Sequence, residues 1–185
     1  MADLSVSYLG LKLKNPIIAA SSGLTASEKG VKRAIDAGAG AVVLKSLFEE
    51  QLRAELRPAG DSPFAHPEAE AYLAGMGMNE GSDDYLSLVE SARKDGRAAV
   101  MASVNCTGSD FWVDFAKRIE SAGADALELN MGYLSVDTAE TAKAIEDTLV
   151  TLTGEVAKAV RLPVAVKLGV GYTSPGNLAH RLAKA

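Results

Sequence analysis

Short, largely apolar runs of residues alternate along the chain with longer stretches in which apolar residues recur every three to four positions. Five runs are predicted to be buried strands: residues 16–20, 41–44, 99–104, 126–129 and 163–166. Continuous apolar runs of this length are typical of strands that are covered on both faces, as in a parallel sheet. The pattern therefore predicts a series of strand–helix units.

Helices are predicted from the apolar spacing between these strands and from residues that commonly start helices. They cover residues 28–37, 82–95, 109–123 and 138–160, and a fifth begins at Pro175 with Ser174 as its N-cap. Thr25-Ala26-Ser27-Glu28 has the form of a capping box, and Ser82 is the expected N-cap of its helix. Residues 4–8 and 11–14 alternate apolar and polar side chains, which predicts a hairpin that closes one end of the main fold.

This alternation predicts an α/β fold of the (β/α)8 TIM-barrel type with an N-terminal β-hairpin. A complete barrel takes roughly 250 residues, so only about the first five β/α units are expected here. We expect residues 1–185 to form a single domain, a partial barrel. Its first and fifth strands would be sheet edges, which leaves two alternatives: a truncated barrel, or a natural half-barrel that closes as a homodimer.

The composition narrows the classes of partner. Hydrophobic residues make up 48% of the chain and charged residues 23%, as in water-soluble globular proteins. The formal net charge of -5 argues against nucleic acid and anionic membranes as partners. No apolar run could span a bilayer, and the start lacks the features of a signal peptide. The single cysteine, Cys106, excludes an internal disulfide, so a cytoplasmic location is expected.

Two lysines occupy equivalent places in the pattern. Lys45 directly follows the run 41–44, and Lys167 directly follows the run 163–166. Because the carboxyl ends of parallel strands meet at one end of a barrel, both lysines are expected at one mouth. A lysine at the end of a buried strand is unfavourable unless an anion or acceptor meets it. The pair favours a shared anionic ligand, although lysines that snorkel at the barrel rim would give the same pattern.

Other residues near the predicted strand ends are weaker candidates. Asn105 and Asn130 supply amide donors and acceptors or simply form turns, and Ser21-Ser22-Gly23 allows either close approach of a ligand or a plain turn. Gly75-Met76-Gly77-Met78 could fold over a flat aromatic ligand or serve as a hinge. No metal site is predicted, because His66, Glu68 and Glu70 lack a metal-ligand spacing. Cys106 is expected to pack rather than react.

Several motifs, taken in their order along the chain, resemble the N-terminal half of proteins of the dihydroorotate dehydrogenase family. The resemblance is nearest to the family's soluble class 1 flavoproteins. Leu9-Gly10-Leu11-Lys12-Leu13-Lys14-Asn15-Pro16 resembles the family's opening hairpin and first strand. The other motifs with a similar counterpart in the family are Ser21-Ser22-Gly23, Lys45-Ser46, Met76-Gly77-Met78, Glu128-Leu129-Asn130 and Val166-Lys167-Leu168.

The resemblance implies an FMN-binding barrel of pyrimidine biosynthesis, with hydride transfer from a dihydropyrimidine-type small molecule to the flavin. Implied FMN contacts are Ser21, Ser22, Gly23, Lys45, Ser46, Asn105, Asn130 and Lys167. Implied substrate contacts are Lys45, Met76, Gly77, Met78 and Asn130. In this interpretation the two lysines stabilise the negative charge of a reduced flavin.

The catalytic loop departs from the family pattern Asn-Leu-Ser-Cys-Pro-Asn. Here it is Asn130-Met131-Gly132-Tyr133-Leu134-Ser135, and Ala74-Gly75-Met76-Gly77 stands where the family has Asn-Ser-Met-Gly. Tyr133 occupies the position of the catalytic base, and Ser135 that of a substrate-binding asparagine. We therefore expect an altered substrate, with Tyr133 as the candidate catalytic residue. An unperturbed phenol, with a pKa of about 10, is a poor base at neutral pH.

Two other functions fit the same residues. A Schiff-base lyase or aldolase on a similar barrel would use Lys167 or Lys45 as its amine nucleophile. A non-catalytic half-barrel would fold or pair without chemistry.

Overall fold

A computed structural model of the chain describes residues 2–48, 81–105, 110–132 and 137–185. The strands in these ranges are β1 (Val6–Tyr8), β2 (Leu11–Leu13), β3 (Ile18–Ala19), β4 (Ala41–Val43), β5 (Leu47–Phe48), β6 (Ala99–Asn105), β7 (Ala126–Met131) and β8 (Val164–Leu168). The α-helices are α1 (Glu28–Asp36), α2 (Ser82–Asp95), α3 (Asp110–Ser121), α4 (Ala142–Ala159) and α5 (Pro175–Leu182), and a 3-10 turn spans Gly23–Thr25.

The strands from β3 to β8 form one parallel sheet. Their order is β3-β4-β6-β7-β8, and the short strand β5 also pairs with β6. The register aligns Val42 with Val100, and Leu127 with Val164. Parallel neighbours joined by helices are the arrangement of a β/α barrel, and this sheet forms part of one, as the apolar runs predict.

The two faces of the sheet have different surroundings. Val42, Val100 and Leu127 belong to a large apolar cluster between the sheet and the helices. The opposite face is the interior of the partial barrel, and its smaller cluster consists of Leu13, Ala41, Val43, Met101 and Ala126. Side chains alternate between the two faces of a strand. The residues two and four positions after Met101 and Ala126 therefore also face inward.

The N-terminal hairpin covers the amino end of the interior face. β1 and β2 pair antiparallel, with Val6 opposite Leu13. Leu9 and Gly10 have φ values of 53° and 75°, the two positive values that a type I′ turn requires. Leu13 is 1% exposed and packs within the interior cluster, as expected for a hairpin that closes this end.

Two predicted helix starts are wrong in detail. Ser27, not Thr25, is the N-cap of α1, because the Ser27 side chain accepts a hydrogen bond from a backbone N–H of the first turn. Thr25 instead forms a capping box with Ser22 around the 3-10 turn. Ser82 is the first residue of α2, and its N-cap is Gly81, which has no side chain to cap the helix.

Several element ends also differ from the predictions. α4 begins at Ala142, four residues later than predicted, because Thr141 is its N-cap. β6, β7 and β8 continue past the predicted ends to Asn105, Met131 and Leu168. Lys167 therefore lies within its strand rather than after it, since the pairing of β7 with β8 continues through polar residues.

No helix in the described ranges is both long enough and apolar enough to cross a bilayer. The same ranges contain no group of three or more His, Cys, Asp or Glu side chains placed to hold a metal ion. His66, Glu68, Glu70 and Cys106 lie outside the described residues.

Candidate functional site

Polar side chains collect at the carboxyl-terminal edge of the sheet. Ser21 follows β3, Ser46 follows β4, and Asn105 is the last residue of β6. Asn130 and Lys167 lie one residue before the ends of β7 and β8 and are aligned with each other. Parallel strands thus bring five polar residues to one edge, which is where β/α barrels build their active sites.

A series of hydrogen bonds, which we call the polar line, runs from Ser21 through Ser46, Ser103 and Glu128 to Lys167. The Oγ atoms of Ser21 and Ser46 are 3.1 Å apart, and those of Ser46 and Ser103 are 2.7 Å apart. Ser103 Oγ donates to Glu128 Oε1 at 2.7 Å. Lys167 Nζ donates to the same oxygen at 2.9 Å. The polar line therefore joins the ends of β3 and β4 to β8 across the interior face.

The strand register produces the inner half of the polar line. Ser103 on β6 is aligned with Glu128 on β7, and Glu128 is aligned with Ala165 on β8. Lys167 lies two residues beyond Ala165, so its side chain is on the same face of the sheet. A lysine side chain is long enough to reach back to Glu128 from that position.

The polar line is buried in its middle and more exposed toward Lys167. Ser103 is 0% exposed, whereas the side chains of Glu128 and Lys167 are 16% and 43% exposed. A largely buried carboxylate is unfavourable unless a charge and hydrogen bonds compensate its lost hydration. Here Lys167 supplies the charge and Ser103 supplies a further hydrogen bond.

Tyr85 on α2 holds Ser103 in place from the helix side of the sheet. The Tyr85 hydroxyl donates to the Ser103 carbonyl oxygen at 2.9 Å and accepts from the Ser103 N–H at 2.7 Å. β4 ends its pairing with β6 at Val43, and pairing resumes with β5 at Leu47. The phenol thus satisfies backbone groups of Ser103 in the gap between two strand pairings.

The two asparagines belong to the same hydrogen-bonded group. Asn105 Nδ2 donates to the backbone carbonyl oxygen of Asn130 at 3.0 Å. Asn130 Nδ2 donates to Ser46 Oγ at 3.3 Å. Their side chains are half-buried. These hydrogen bonds to the sheet backbone and to the polar line restrict how the amides can turn.

Other predicted residues near this edge make different contacts. Ser22 Oγ accepts from the Leu24 N–H and caps the 3-10 turn. Gly23 is exposed, and an added Cβ would meet no atom within 4 Å in the described part of the chain. The backbone N–H of Lys45 donates to the Thr25 carbonyl oxygen at 3.2 Å, which ties the end of β4 to the turn.

The structure brings together most of the residues that the sequence predicts for FMN. Those in one hydrogen-bonded group are Ser21, Ser46, Asn105, Asn130 and Lys167. Lys45 follows β4 at the same edge of the sheet. Tyr133, Met76, Gly77 and Met78 lie outside the described residues, so their roles stay predictions.

Sequence reasoning does not identify Ser103, Glu128 or Tyr85 as site residues. A signal exists for the first two, since each is a polar residue within an apolar run and lies two positions before an asparagine. That spacing places Ser103 on the face of Asn105, and Glu128 on the face of Asn130. Tyr85 gives no such signal, because its contact with β6 comes from a separate helix.

The family model for dihydroorotate dehydrogenase matches residues 3–179. The chain belongs to the dihydroorotate dehydrogenase family. The match covers nearly the whole of this family member and confirms the resemblance inferred from its motifs.

Curated relatives of this family member are longer proteins. The catalytic subunit of dihydroorotate dehydrogenase B (NAD(+)) from Thermoplasma acidophilum is 26% identical over 191 residues, which cover 100% of this chain and 60% of that protein. The subunit of the same name from Methanocella arvoryzae is 32% identical over 166 residues, covering 89% of this chain and 52% of the relative. The chain thus spans between half and three fifths of the relatives that it matches.

Solved structures show the same fold at low sequence identity. A dihydrodipicolinate synthase from Agrobacterium tumefaciens aligns with a TM-score of 0.55 and 21% identity, over 90% of this chain and 50% of that one. An IMP dehydrogenase/GMP reductase-like protein from Corynebacterium glutamicum aligns with a TM-score of 0.55 and 15% identity, over 97% of this chain and 46% of that one. These likenesses concern the fold alone, and each solved chain is about twice as long as the part that matches.

Proposed function

We propose that this member of the dihydroorotate dehydrogenase family is part of a flavin-dependent oxidoreductase that acts on a CH–CH group of a small dihydropyrimidine-type molecule, with FMN as cofactor. The family and the names of its relatives support the reaction class. The polar line carries the proposal, because it ends in an ammonium group at the edge of the sheet where barrels bind their ligands.

The side chains at this edge fit the chemistry of an FMN ring. A flavin ring presents carbonyl oxygens, ring nitrogens and an N–H group, and it carries negative charge when reduced. Lys167 offers a cation, while Asn130 and Ser21 offer an amide and a hydroxyl group. Gly23 leaves the adjacent backbone open to close approach, since no atom of the described residues fills the place of a side chain. When bound, FMN supplies the acceptor for a hydride from the substrate.

The chain's own residues would orient the ligand and hold charge beside it. Lys167 uses one of its three N–H groups on Glu128, which fixes the ammonium and leaves two donors for a ligand. Asn105, Asn130 and Ser46 are held by their mutual hydrogen bonds before any ligand arrives. Groups that are already oriented lose less entropy on binding than mobile ones.

We further propose that the substrate differs from dihydroorotate. Tyr133 and Ser135 occupy the places of the family's base and of a substrate-binding asparagine, and a second such asparagine is replaced in 74–77. Loss of hydrogen-bonding groups for a polar ring changes discrimination strongly. Tyr133 is the proposed proton-transfer residue, and Lys45, Met76, Gly77, Met78 and Asn130 are the proposed substrate contacts.

The Lys167→Met variant is expected to bind FMN about tenfold to a hundredfold more weakly, because a hydrogen bond to a charged group contributes about 1.5–3 kcal/mol. Titration of the complete protein with FMN, followed by flavin fluorescence, measures both dissociation constants. Lys158→Met is the matched control, since Lys158 is an exposed lysine in the last turn of α4. Equal weakening in both variants, or no FMN binding by the unmodified protein, would contradict the proposed function.

Dihydroorotate is expected to reduce the FMN-loaded complete protein slowly, because the catalytic loop lacks the family's base and one substrate asparagine, and 74–77 lacks a second. Anaerobic stopped-flow measurement of the visible flavin absorbance gives the rate. The double variant Tyr133→Cys and Ser135→Asn, which restores two family residues, is expected to gain at least about a hundredfold, since a positioned general base contributes that much. Rapid bleaching of the unmodified protein would rule out an altered substrate while leaving the flavin cofactor in place.

The contacts of Lys167 support an electrostatic role over a Schiff-base mechanism. An amine nucleophile needs a free lone pair on nitrogen. Lys167 Nζ is instead ion-paired with Glu128 at 2.9 Å, which suits an ammonium group. Borohydride trapping of a carbonyl compound on Lys167 would favour the lyase alternative.

A further inference from the structure

The directions of the hydrogen bonds in the polar line can be assigned by starting from the Glu128 carboxylate. A carboxylate only accepts hydrogen bonds, so the hydroxyl hydrogen of Ser103 points to Glu128 Oε1, 2.7 Å away. A hydroxyl group has one hydrogen, so the 2.7 Å contact between Ser46 and Ser103 requires Ser46 to donate. The hydrogen of Ser46 is then used, and Ser46 must accept from Ser21 Oγ at 3.1 Å.

The same reasoning fixes the side-chain amide of Asn130. Because Ser46 Oγ can only accept from it, the nitrogen of this amide faces Ser46, at 3.3 Å. The Asn130 oxygen Oδ1 therefore points away from Ser46. It has no hydrogen-bond partner among the residues that the structure describes.

Ser21 Oγ can only accept a hydrogen bond from a ligand, because its hydrogen is already used. Its Oγ accepts from the Ser46 N–H at 2.9 Å and donates its only hydrogen to Ser46 Oγ. One acceptor position remains on Ser21 Oγ, and Ser21 is half-buried at the edge of the site.

We infer that Glu128 is a positioning residue. Through Ser103 and Ser46 it sets the hydrogen-bond polarity of the site, that is, which groups donate and which accept. With a carboxylate at position 128, the polar line leaves Ser21 Oγ and Asn130 Oδ1 as acceptors at the open edge. The ligand group that meets them must then be a hydrogen-bond donor, an imide or amide N–H; this part rests on the proposed function. A flavin ring carries such a group.

Loss of the acceptor at position 128 would remove this control. In Glu128→Met, Ser103 has no carboxylate to donate to and is free to donate to Ser46. Ser46 is then free to donate outward, and Asn130 is no longer held with its nitrogen inward. Glu128→Gln should keep the original direction, because Lys167 donates to the same oxygen as Ser103 and holds an amide oxygen at that place.

Proton NMR of the complete protein without ligand tests the polarity directly. Ser103 and Ser46 are 0% and 6% exposed, so their hydroxyl protons are shielded from water and should give separate resonances. In Glu128→Met we expect the Ser46 hydroxyl resonance to shift or disappear, although the polar line links Ser46 to residue 128 only through Ser103. The nuclear Overhauser contact between the Asn130 amide protons and Ser46 should weaken in parallel.

Two further variants separate this role from a general structural one. Ser103→Ala interrupts the polar line but keeps the Glu128–Lys167 pair, and it is expected to change the Ser46 and Asn130 signals as Glu128→Met does. Glu120→Gln is the matched control, because the Glu120 side chain is 23% exposed and pairs with Arg161 outside the polar line. Unchanged Ser46 and Asn130 signals in both test variants would overturn the inference.

Flavin analogues test the ligand half of the inference. FMN methylated at the imide nitrogen lacks the N–H donor, and we expect the unmodified protein to bind it at least about tenfold more weakly than FMN. The ratio of the two dissociation constants should fall toward one in Glu128→Met. Equal binding of the two flavins by the unmodified protein would overturn the donor assignment. Absence of any flavin binding would contradict the proposed function alone, because the NMR result needs no ligand.

Discussion

Replacement of Trp112 by alanine is expected to lower the free energy of unfolding by about 3–5 kcal/mol. Trp112 is 1% exposed, and its ring packs edge-on against Phe115, with ring centroids 6.3 Å apart and planes at 80°. Deleting a buried indole ring removes its favourable transfer from water and leaves a cavity that neighbours fill only in part. Urea denaturation at an unchanged m-value measures the loss.

Tyr8→Ala is the matched control for this variant. It removes an aromatic ring that is 41% exposed on β1, and we expect a loss below about 1 kcal/mol. If Trp112→Ala unfolds at the same urea concentration as the unmodified protein, the assignment of Trp112 to the core of the partial barrel is wrong.

The aromatic core also supports the candidate site. Phe115 packs against Tyr85, with ring centroids 6.3 Å apart and planes at 41°. Tyr85 in turn holds the backbone of Ser103 through two hydrogen bonds. Aromatic residues of α2 and α3 therefore brace β6 at the point where Ser103 meets Glu128. Trp112 packs against Phe115 and contributes to the placement of the site residues through this sequence of contacts.

Much of the fold could be predicted because burial determines its strands. Val42, Val100 and Leu127 are each 0% exposed, and each lies in an apolar run that sequence reasoning assigned to a strand. The parallel arrangement followed from the helices between those runs. Hydrophobic pattern and hydrogen-bonded pairing agree wherever a strand is covered on both faces.

The strand ends could not be predicted from apolarity, because pairing continues where burial stops. Asn130 and Lys167 are polar, yet they are aligned with each other as strand residues. The start of α4 could not be predicted from apolarity either. The Asp137 carboxylate accepts from the Ala139 N–H, which holds these residues in a turn, and Thr141 then caps the helix.

Only part of the candidate site could be predicted from the sequence. Lysine and asparagine after apolar runs are visible in the sequence, and parallel strands place them at one edge. Ser103 and Glu128 contact each other across 25 residues, and only the register between β6 and β7 aligns them. The sequence contains each polar residue but not the alignment, so the polar line becomes visible only in three dimensions.

The Gly30→Ala variant is expected to lose about 1–3 kcal/mol of stability, although alanine is the better helix former by about 1 kcal/mol. Gly30 lies in the first turn of α1, and an added Cβ would lie 2.1 Å from the carbonyl oxygen of Leu24. Leu24 belongs to the 3-10 turn that follows Ser21. The clash can be relieved only by moving this turn or α1, so the end of the polar line should move as well.

Gly176→Ala is the matched control, since Gly176 lies in the first turn of α5 and an added Cβ there meets no atom within 4 Å among the residues that the structure describes. It should be neutral or stabilising by up to about 1 kcal/mol. Urea denaturation compares the two variants. The Ser46 amide proton, which bonds to Ser21 Oγ at 2.9 Å, reports on the turn by NMR. If Gly30→Ala proves as stable as Gly176→Ala and leaves that resonance unchanged, the tight contact between α1 and the turn does not exist in solution.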